Sequence, residues 1–193
     1  MMRTRGILVL AVAALAALIG WGLFVGLPRW VEAQRATPPP PPIAEAPAEP
    51  ERKIRARLFY VADDGYGLVA VEREVAYGAD PSAQIRAILQ AQMAEPPAPL
   101  VSAVPPGTQV RAVYVTGGEA YVDLSREVVT GHTGGSLNEQ LTVQTLVAAV
   151  TVNLPAVTRV QLLVDGKEVD TLAGHVDLRQ PLARNDGWMK QVE

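Results

Sequence analysis

Val110-Arg111-Ala112-Val113-Tyr114-Val115-Thr116-Gly117-Gly118-Glu119-Ala120-Tyr121-Val122-Asp123-Leu124 is the clearest local structural signal in this 193-residue chain. Val113-Tyr114-Val115 and Ala120-Tyr121-Val122 are strand-forming runs that flank Gly117-Gly118, and a glycine pair between such runs predicts a β-hairpin. Upstream, Ile54, Ala56 and Leu58 alternate with Arg55 and Arg57, break at Asp63-Asp64-Gly65, and resume in Leu68-Val69-Ala70-Val71, which predicts a first hairpin. Between the two, Asp80-Pro81-Ser82 supplies an N-cap and a first-turn proline. Ile85, Ile88 and Leu89 follow at helical spacing, so a helix is expected to about Met93, where Pro96-Pro97 stops it.

Downstream of the Gly117-Gly118 hairpin, Ser136 followed three residues later by Glu139 has the spacing of a capping box. Leu137, Leu141, Val143, Leu146, Val147 and Val150 then give a second helix a broad apolar face, which makes it the expected spine of the core. Val160-Gln161-Leu162-Leu163-Val164 is apolar on both faces apart from Gln161 and predicts a central strand. Asp165-Gly166 turns it, and Lys167 to Leu172 reads as its returning partner. The order strand, strand, helix, strand, strand, helix, strand, strand predicts an α+β domain with two main helices packed on one face of a single mixed β-sheet. Leu146 and Leu162 are expected to be buried.

Outside this domain the composition changes. From Ile7 to Leu27 no side chain is charged or strongly polar, and such a run makes a helix of about 32 Å, enough for a hydrocarbon core of roughly 30 Å. Arg3 and Arg5 precede it, and Trp21 and Trp30 lie near its far end, where amphipathic rings favour the membrane interface. The expected layout is a cytoplasmic tail over 1–6, a transmembrane helix over 7–27, a linker over 28–53, the domain over 54–186 and a C-terminal tail over 187–193. That places the domain outside the cytoplasmic membrane of a single-pass protein. A cleaved signal peptide is the competing reading, since Val31-Glu32-Ala33 offers small residues before Gln34; the apolar run is longer than the roughly 7–15 residues of a signal core. Residues 36–53 are mostly Pro, Ala and Glu, with five prolines from Pro38 to Pro42, and form a semi-rigid spacer reaching up to roughly 55 Å.

Composition narrows the function. After Lys53 the chain carries eleven basic and sixteen acidic residues, a net charge of −5. An acidic domain without a polybasic stripe has little of the counterion-release drive behind nucleic-acid binding, so no nucleic-acid partner is expected. Cysteine is absent, which excludes disulfides, thiolate nucleophiles and an acylated lipobox. The two histidines, His132 and His175, sit in loop-like settings, with no His-x-x-His or Glu-x-x-His spacing to gather metal ligands. In the turn after Gly174, His175 is read as satisfying a backbone group. Asp123, Ser125 and His132 could be assembled on paper into a hydrolase triad, yet Asp123 and Ser125 share one strand face and no Gly-x-Ser-x-Gly elbow is present. Asp123 reads better as closing its strand by accepting loop amide bonds, and Ser125 as starting a turn. No catalytic residue, metal or cofactor is expected. Gly131, Gly134 and Gly135 before Ser136 could form an anion nest at a helix start, which makes Gly134, Gly135 and Ser136 the candidate anion or ligand contacts, with helix capping as the plainer reading.

Several segments together resemble one family. Leu58-Phe59-Tyr60, Val104-Pro105-Pro106-Gly107-Thr108, Gly118-Glu119-Ala120-Tyr121-Val122-Asp123-Leu124-Ser125, Gly134-Gly135-Ser136 and Val160-Gln161-Leu162-Leu163-Val164-Asp165-Gly166-Lys167 occur in order, continued by Thr171-Leu172, Gly174-His175 and Pro181-Leu182. In these stretches the chain resembles the GerMN domain family, named for a sporulation and spore-germination protein. The resemblance implies a non-enzymatic extracytoplasmic module for envelope assembly or localisation, with a topology similar to the ring-building modules of secretion-type channels. This chain departs from the germination protein by carrying one copy rather than two and an apolar segment rather than a lipid. The resulting expectation is a protein–protein interaction or assembly module that binds an envelope protein or its own copies. The alternative is a ligand-binding module that recognises peptidoglycan or a small anion.

Overall fold

The computed structural model of the protein describes residues 14–24 and 52–190. The chain divides into two compact units, Met1–Ala48 and Glu49–Glu193. In the first, a helix, α1, runs over residues 14–24 with its side chains exposed. Among the described residues no helix is long and apolar enough to cross a membrane. The transmembrane helix expected over 7–27 is not supported by the part of it that is described, residues 14–24. The remainder of that span, the tail over 1–6, the linker up to residue 51 and residues 191–193 lie outside the described residues.

The second unit opens with β1 (Lys53–Val61) and β2 (Leu68–Ala76), which pair antiparallel as the first hairpin. Alternation decides its faces: Ala56, Leu58 and Tyr60 are fully buried, while Arg55 lies opposite Glu74 and Arg57 opposite Glu72 on the exposed face. Helix α2 (Pro81–Gln92) begins as expected, with Asp80 as N-cap accepting the Ala83 N–H at 2.9 Å and Pro81 in the first turn. Ile85, Ile88 and Leu89 form its buried face.

β3 (Val110–Thr116) and β4 (Glu119–Leu124) form the second hairpin. Gly117 and Gly118 both take positive φ, 58° and 79°. This is the type I′ turn, whose twist suits a two-residue hairpin and which disfavours any residue with a Cβ. A short helix, α3 (Glu127–Thr130), precedes α4 (Ser136–Thr151). Apart from its first turn α4 is buried almost all round, with Val143, Leu146, Val147, Ala148, Ala149 and Val150 at 0% exposure, so it is the core's spine. It leads to β5 (Arg159–Val164), which pairs parallel to β4 with Val122 opposite Leu162. Leu162 is 1% exposed. β6 (Lys167–Glu168) and β7 (Leu182–Ala183) both pair with β5, and a 3₁₀ turn over Asp186–Trp188 follows.

The domain is α+β, but three expectations are corrected. The strands do not make one sheet: β1 and β2 form a separate two-stranded sheet, and β3 to β7 form a five-stranded mixed sheet. Helices α2 and α4 pack on each other and reach both sheets, α2 touching β1, β2 and β3 and α4 touching β1 and β5. The first sheet ends at β1 because side-chain amides occupy its outer edge. Gln92 accepts the Phe59 N–H at 2.8 Å and donates to the Phe59 carbonyl at 2.7 Å, and Asn153 does the same for Arg57 at 2.8 Å each way. Next, the returning strand expected over Lys167 to Leu172 stops at Glu168, since the Leu172 N–H donates instead to Glu139 on α4. Finally, the capping box does not form. Gly135, at φ 88° and ψ 141°, is the N-cap and no side chain caps α4.

Candidate functional site

The Gly131 to Ser136 loop is shaped by its own polar groups. The Gly134 N–H donates to His132 Nδ1 at 2.9 Å, while Nε2 lies 3.2 Å from Thr142 Oγ1. Accepting at Nδ1 leaves Nε2 to donate toward Thr142 Oγ1, so the His132 ring staples the loop to α4. Thr142 Oγ1 in turn lies 2.6 Å from the Ala103 carbonyl and 2.9 Å from that of Asn138, and Asn138 donates to Thr133 and to the Gly134 carbonyl. Beside the loop is a pocket of about 350 Å³. Val61, Val101, Val104, Pro105, Pro106 and Leu141 form its apolar wall; Ser102, His132, Thr133, Asn138 and Thr142 add polar atoms, and no charged side chain lines it.

The residues singled out as anion contacts, Gly134, Gly135 and Ser136, are not among those lining this pocket. Gly134 is engaged at both its N–H and its carbonyl, and Gly135 accepts the Glu139 N–H at 3.0 Å. What faces the cavity is the neighbouring set Gly131, His132, Thr133 and Asn138.

The paper triad is not brought together by hydrogen bonds. Asp123 Oδ1 accepts the Gly166 N–H at 2.7 Å and Oδ2 accepts Arg111 Nε at 3.2 Å, so this carboxylate closes the β5–β6 turn. Arg111 also reaches Asp165 at 2.9 Å. Ser125 Oγ accepts the Gln109 N–H at 3.0 Å, and the Ser125 carbonyl accepts the Val128 N–H, opening the turn into α3. Among the described residues no group of three or more His, Cys, Asp or Glu side chains could hold a metal ion.

The most consequential polar residue is one the sequence pattern misassigned. Glu139 is fully buried, and its Oε1 accepts the N–H groups of Leu172 at 2.8 Å and Ala173 at 2.9 Å. Its Oε2 accepts the His175 N–H at 2.8 Å and faces His175 Nδ1 at 3.2 Å. The His175 ring thus faces a carboxylate rather than a backbone group. Burial pushes the Glu139 carboxyl up, but the backbone donors of Ala173, His175 and Leu172 outweigh it and hold the group below the ordinary glutamate value. Gln161 adds a second tie to the same segment, donating to the Leu178 carbonyl at 2.6 Å. Glu139 and Gln92 share the one signal that could have found them, a polar residue on a helix among buried apolar ones, whereas Asn153 lies in the turn after α4 and carries no such signal.

Comparison with known proteins agrees with this architecture. No curated protein matches the chain. Among solved structures, a protein from Clostridium perfringens described as a lipoprotein superposes with a TM-score of 0.50 at 20% identity, covering 72% of this chain and 95% of that one. The tandem GerMN domains of the sporulation protein GerM from Bacillus subtilis superpose with a TM-score of 0.54 at 18% identity, covering 68% of this chain and 46% of that one. The chain thus spans about half of the tandem protein. At these identities the likeness is one of fold. The Germane family profile, described as sporulation and spore germination, matches residues 57–170. Since that match takes in more than half of the sequence, the chain belongs to the Germane (GerMN-type) sporulation and spore germination family.

Proposed function

We propose that this domain is a non-catalytic interaction and assembly module of the cell envelope, working outside the cytoplasmic membrane and tethered through the apolar N-terminal segment. Its partner is an envelope protein or a second copy of the chain, and neither a cofactor nor nucleic acid takes part. The observation that supports this reading is how polar and apolar groups are distributed. Asp123, Ser125, His132, Glu139 and His175 are all bonded within the fold, whereas Tyr66, Val101 and Tyr114 stand 71%, 62% and 63% exposed. Side chains that could do chemistry hold the chain together, and large apolar groups face outward, which is what binding a macromolecule needs.

A complementation assay with melting temperatures tests it. Ser125→Ala, His132→Ala and His175→Gln are expected to preserve function in folded protein, and charge reversals across an exposed face to abolish it. Loss of function from one of the former in a folded chain, with silent reversals, would overturn the proposal.

The pocket beside the Gly131 to Ser136 loop favours a second reading, recognition of a peptidoglycan fragment or a small anion. Titration with soluble peptidoglycan fragments and with inorganic phosphate distinguishes it. The absence of charged residues from the pocket lining weighs against the anion.

A further inference from the structure

Among the described residues, the strand edges of this domain are bonded by other groups or lined with charge, except along β3. In the second hairpin, Thr116 and Glu119 close a two-residue turn and are therefore a hydrogen-bonded pair. Alternation then aims the backbone of Tyr114 and Ala112 at β4 and that of Val115 and Val113 away from it. No described residue bonds to the outward N–H and C=O groups of Val113 and Val115. Just before them, Arg86 from α2 caps the carbonyls of Val110 and Arg111 at 3.3 and 3.2 Å, so the open stretch is Ala112 to Thr116.

Elsewhere the edges are bonded or carry charge. Arg57, Phe59 and Val61 of β1 are bonded by Asn153, Gln92 and the Val101 carbonyl. The far edge of β5 is taken by β6, β7 and the segment tied through Gln161. On β2 the Leu68 carbonyl accepts the Lys190 N–H, and beyond it Glu72 and Glu74 place charge along the edge. Closed edges and charged edges both discourage strand addition, whereas Ala112 to Thr116 has neither charge nor proline.

We propose that the open edge of β3 pairs antiparallel with β3 of a second copy, in a register centred on Tyr114. This rests on the interaction-module reading and names the surface and the partner. Centring on Tyr114 sets Val113 against Val115 of the second copy and Val115 against its Val113, each pair exchanging both its hydrogen bonds. The exposed Tyr114 side chains then meet across the two-fold axis as an aromatic cross-strand pair, and no like charges face each other. The same operation on β2 would set Glu72 against Glu74, which is why self-pairing belongs to β3.

The chain has no cysteine, which makes the register directly testable. At the two-fold, Tyr114 and its counterpart form a non-hydrogen-bonded pair with Cα atoms about 4.5 Å apart. That lies inside the roughly 4.4–6.8 Å window a disulfide spans. In the full chain under mild oxidation, Tyr114→Cys alone should give a linked homodimer. Ala112→Cys and Thr116→Cys should link only when mixed, because they oppose each other across the axis. Adding Val115→Pro to Tyr114→Cys removes an outward donor without touching a bond to β4, and should reduce the product to background at an unchanged Tm. Should that variant fail to fold, Tyr114→Lys on the exposed face should lower the dimer fraction several-fold in sedimentation. Equal linking in all three single variants, or none in Tyr114→Cys, would overturn the proposal. If Tyr114→Cys gives no product while surface charge reversals still abolish complementation, the self-pairing fails and the interaction reading stands.

Discussion

The β1–β2 hairpin and the β3–β4 hairpin each turn on glycine-containing loops, yet their outer edges are finished in opposite ways. The backbone of Arg57 and Phe59 is bonded at both N–H and carbonyl by the side chains of Asn153 and Gln92, which stand in for a missing strand. The backbone of Val113 and Val115 meets nothing among the described residues. The contrast teaches that a strand is terminated by whatever amides the helices bring to it. Gln92 ends α2 and Asn153 follows α4, so two helix ends decide that β1 takes no further strand. The C-terminal segment is finished in the manner of β1, with the Glu139 carboxylate in place of an amide.

Removing these ties should break the contrast in graded steps. Glu139→Ala strands several N–H groups around a buried site and is expected to cost about 3–5 kcal/mol in denaturant unfolding. Its carboxyl is depressed from the ordinary value of 4.5 by the fold. Its stabilisation is therefore complete above that value and lost as pH falls through the lower folded one, and the variant should lack that acid-sensitive component. Gln92→Ala leaves both polar groups of Phe59 buried and unpaired, a loss of about 2–4 kcal/mol. Asn153→Ala acts at a more exposed stretch of the same edge and should cost about 1 kcal/mol. Tyr114→Lys, on the open edge, should change the unfolding free energy of the dilute chain by less than about 0.5 kcal/mol. If Gln92→Ala proved as silent as Tyr114→Lys, the two edges would not differ as described.

The parts of the fold legible in the sequence are those set by neighbouring residues. Gly117-Gly118 fixes a type I′ turn, Asp80-Pro81 starts α2, and the apolar runs containing Leu146 and Leu162 place the core. What escaped the sequence depends on contacts between distant residues. Ser136 and Glu139 have the spacing of a capping box, but the amides that capture Glu139 lie 33, 34 and 36 positions away. Gln92 lies 33 positions from Phe59 and Asn153 lies 96 from Arg57, so nothing local announces that β1 is sealed or that the strands divide into two sheets. The Gly131 to Ser136 loop stands out in the sequence by its glycines, and a pocket lies beside it. The cavity is lined by Gly131, His132, Thr133 and Asn138 instead of Gly134, Gly135 and Ser136, because the latter two glycines are spent on shaping the start of α4.

Amide hydrogen exchange of the full chain at rising protein concentration tests the contrast between edges most directly. The Arg57 and Phe59 N–H groups should exchange slowly at every concentration, through opening of the domain. The Val113 and Val115 N–H groups should exchange quickly in dilute protein and slow as the concentration rises. Strong protection of Val113 and Val115 in the most dilute sample, or fast exchange at Phe59, would contradict the account.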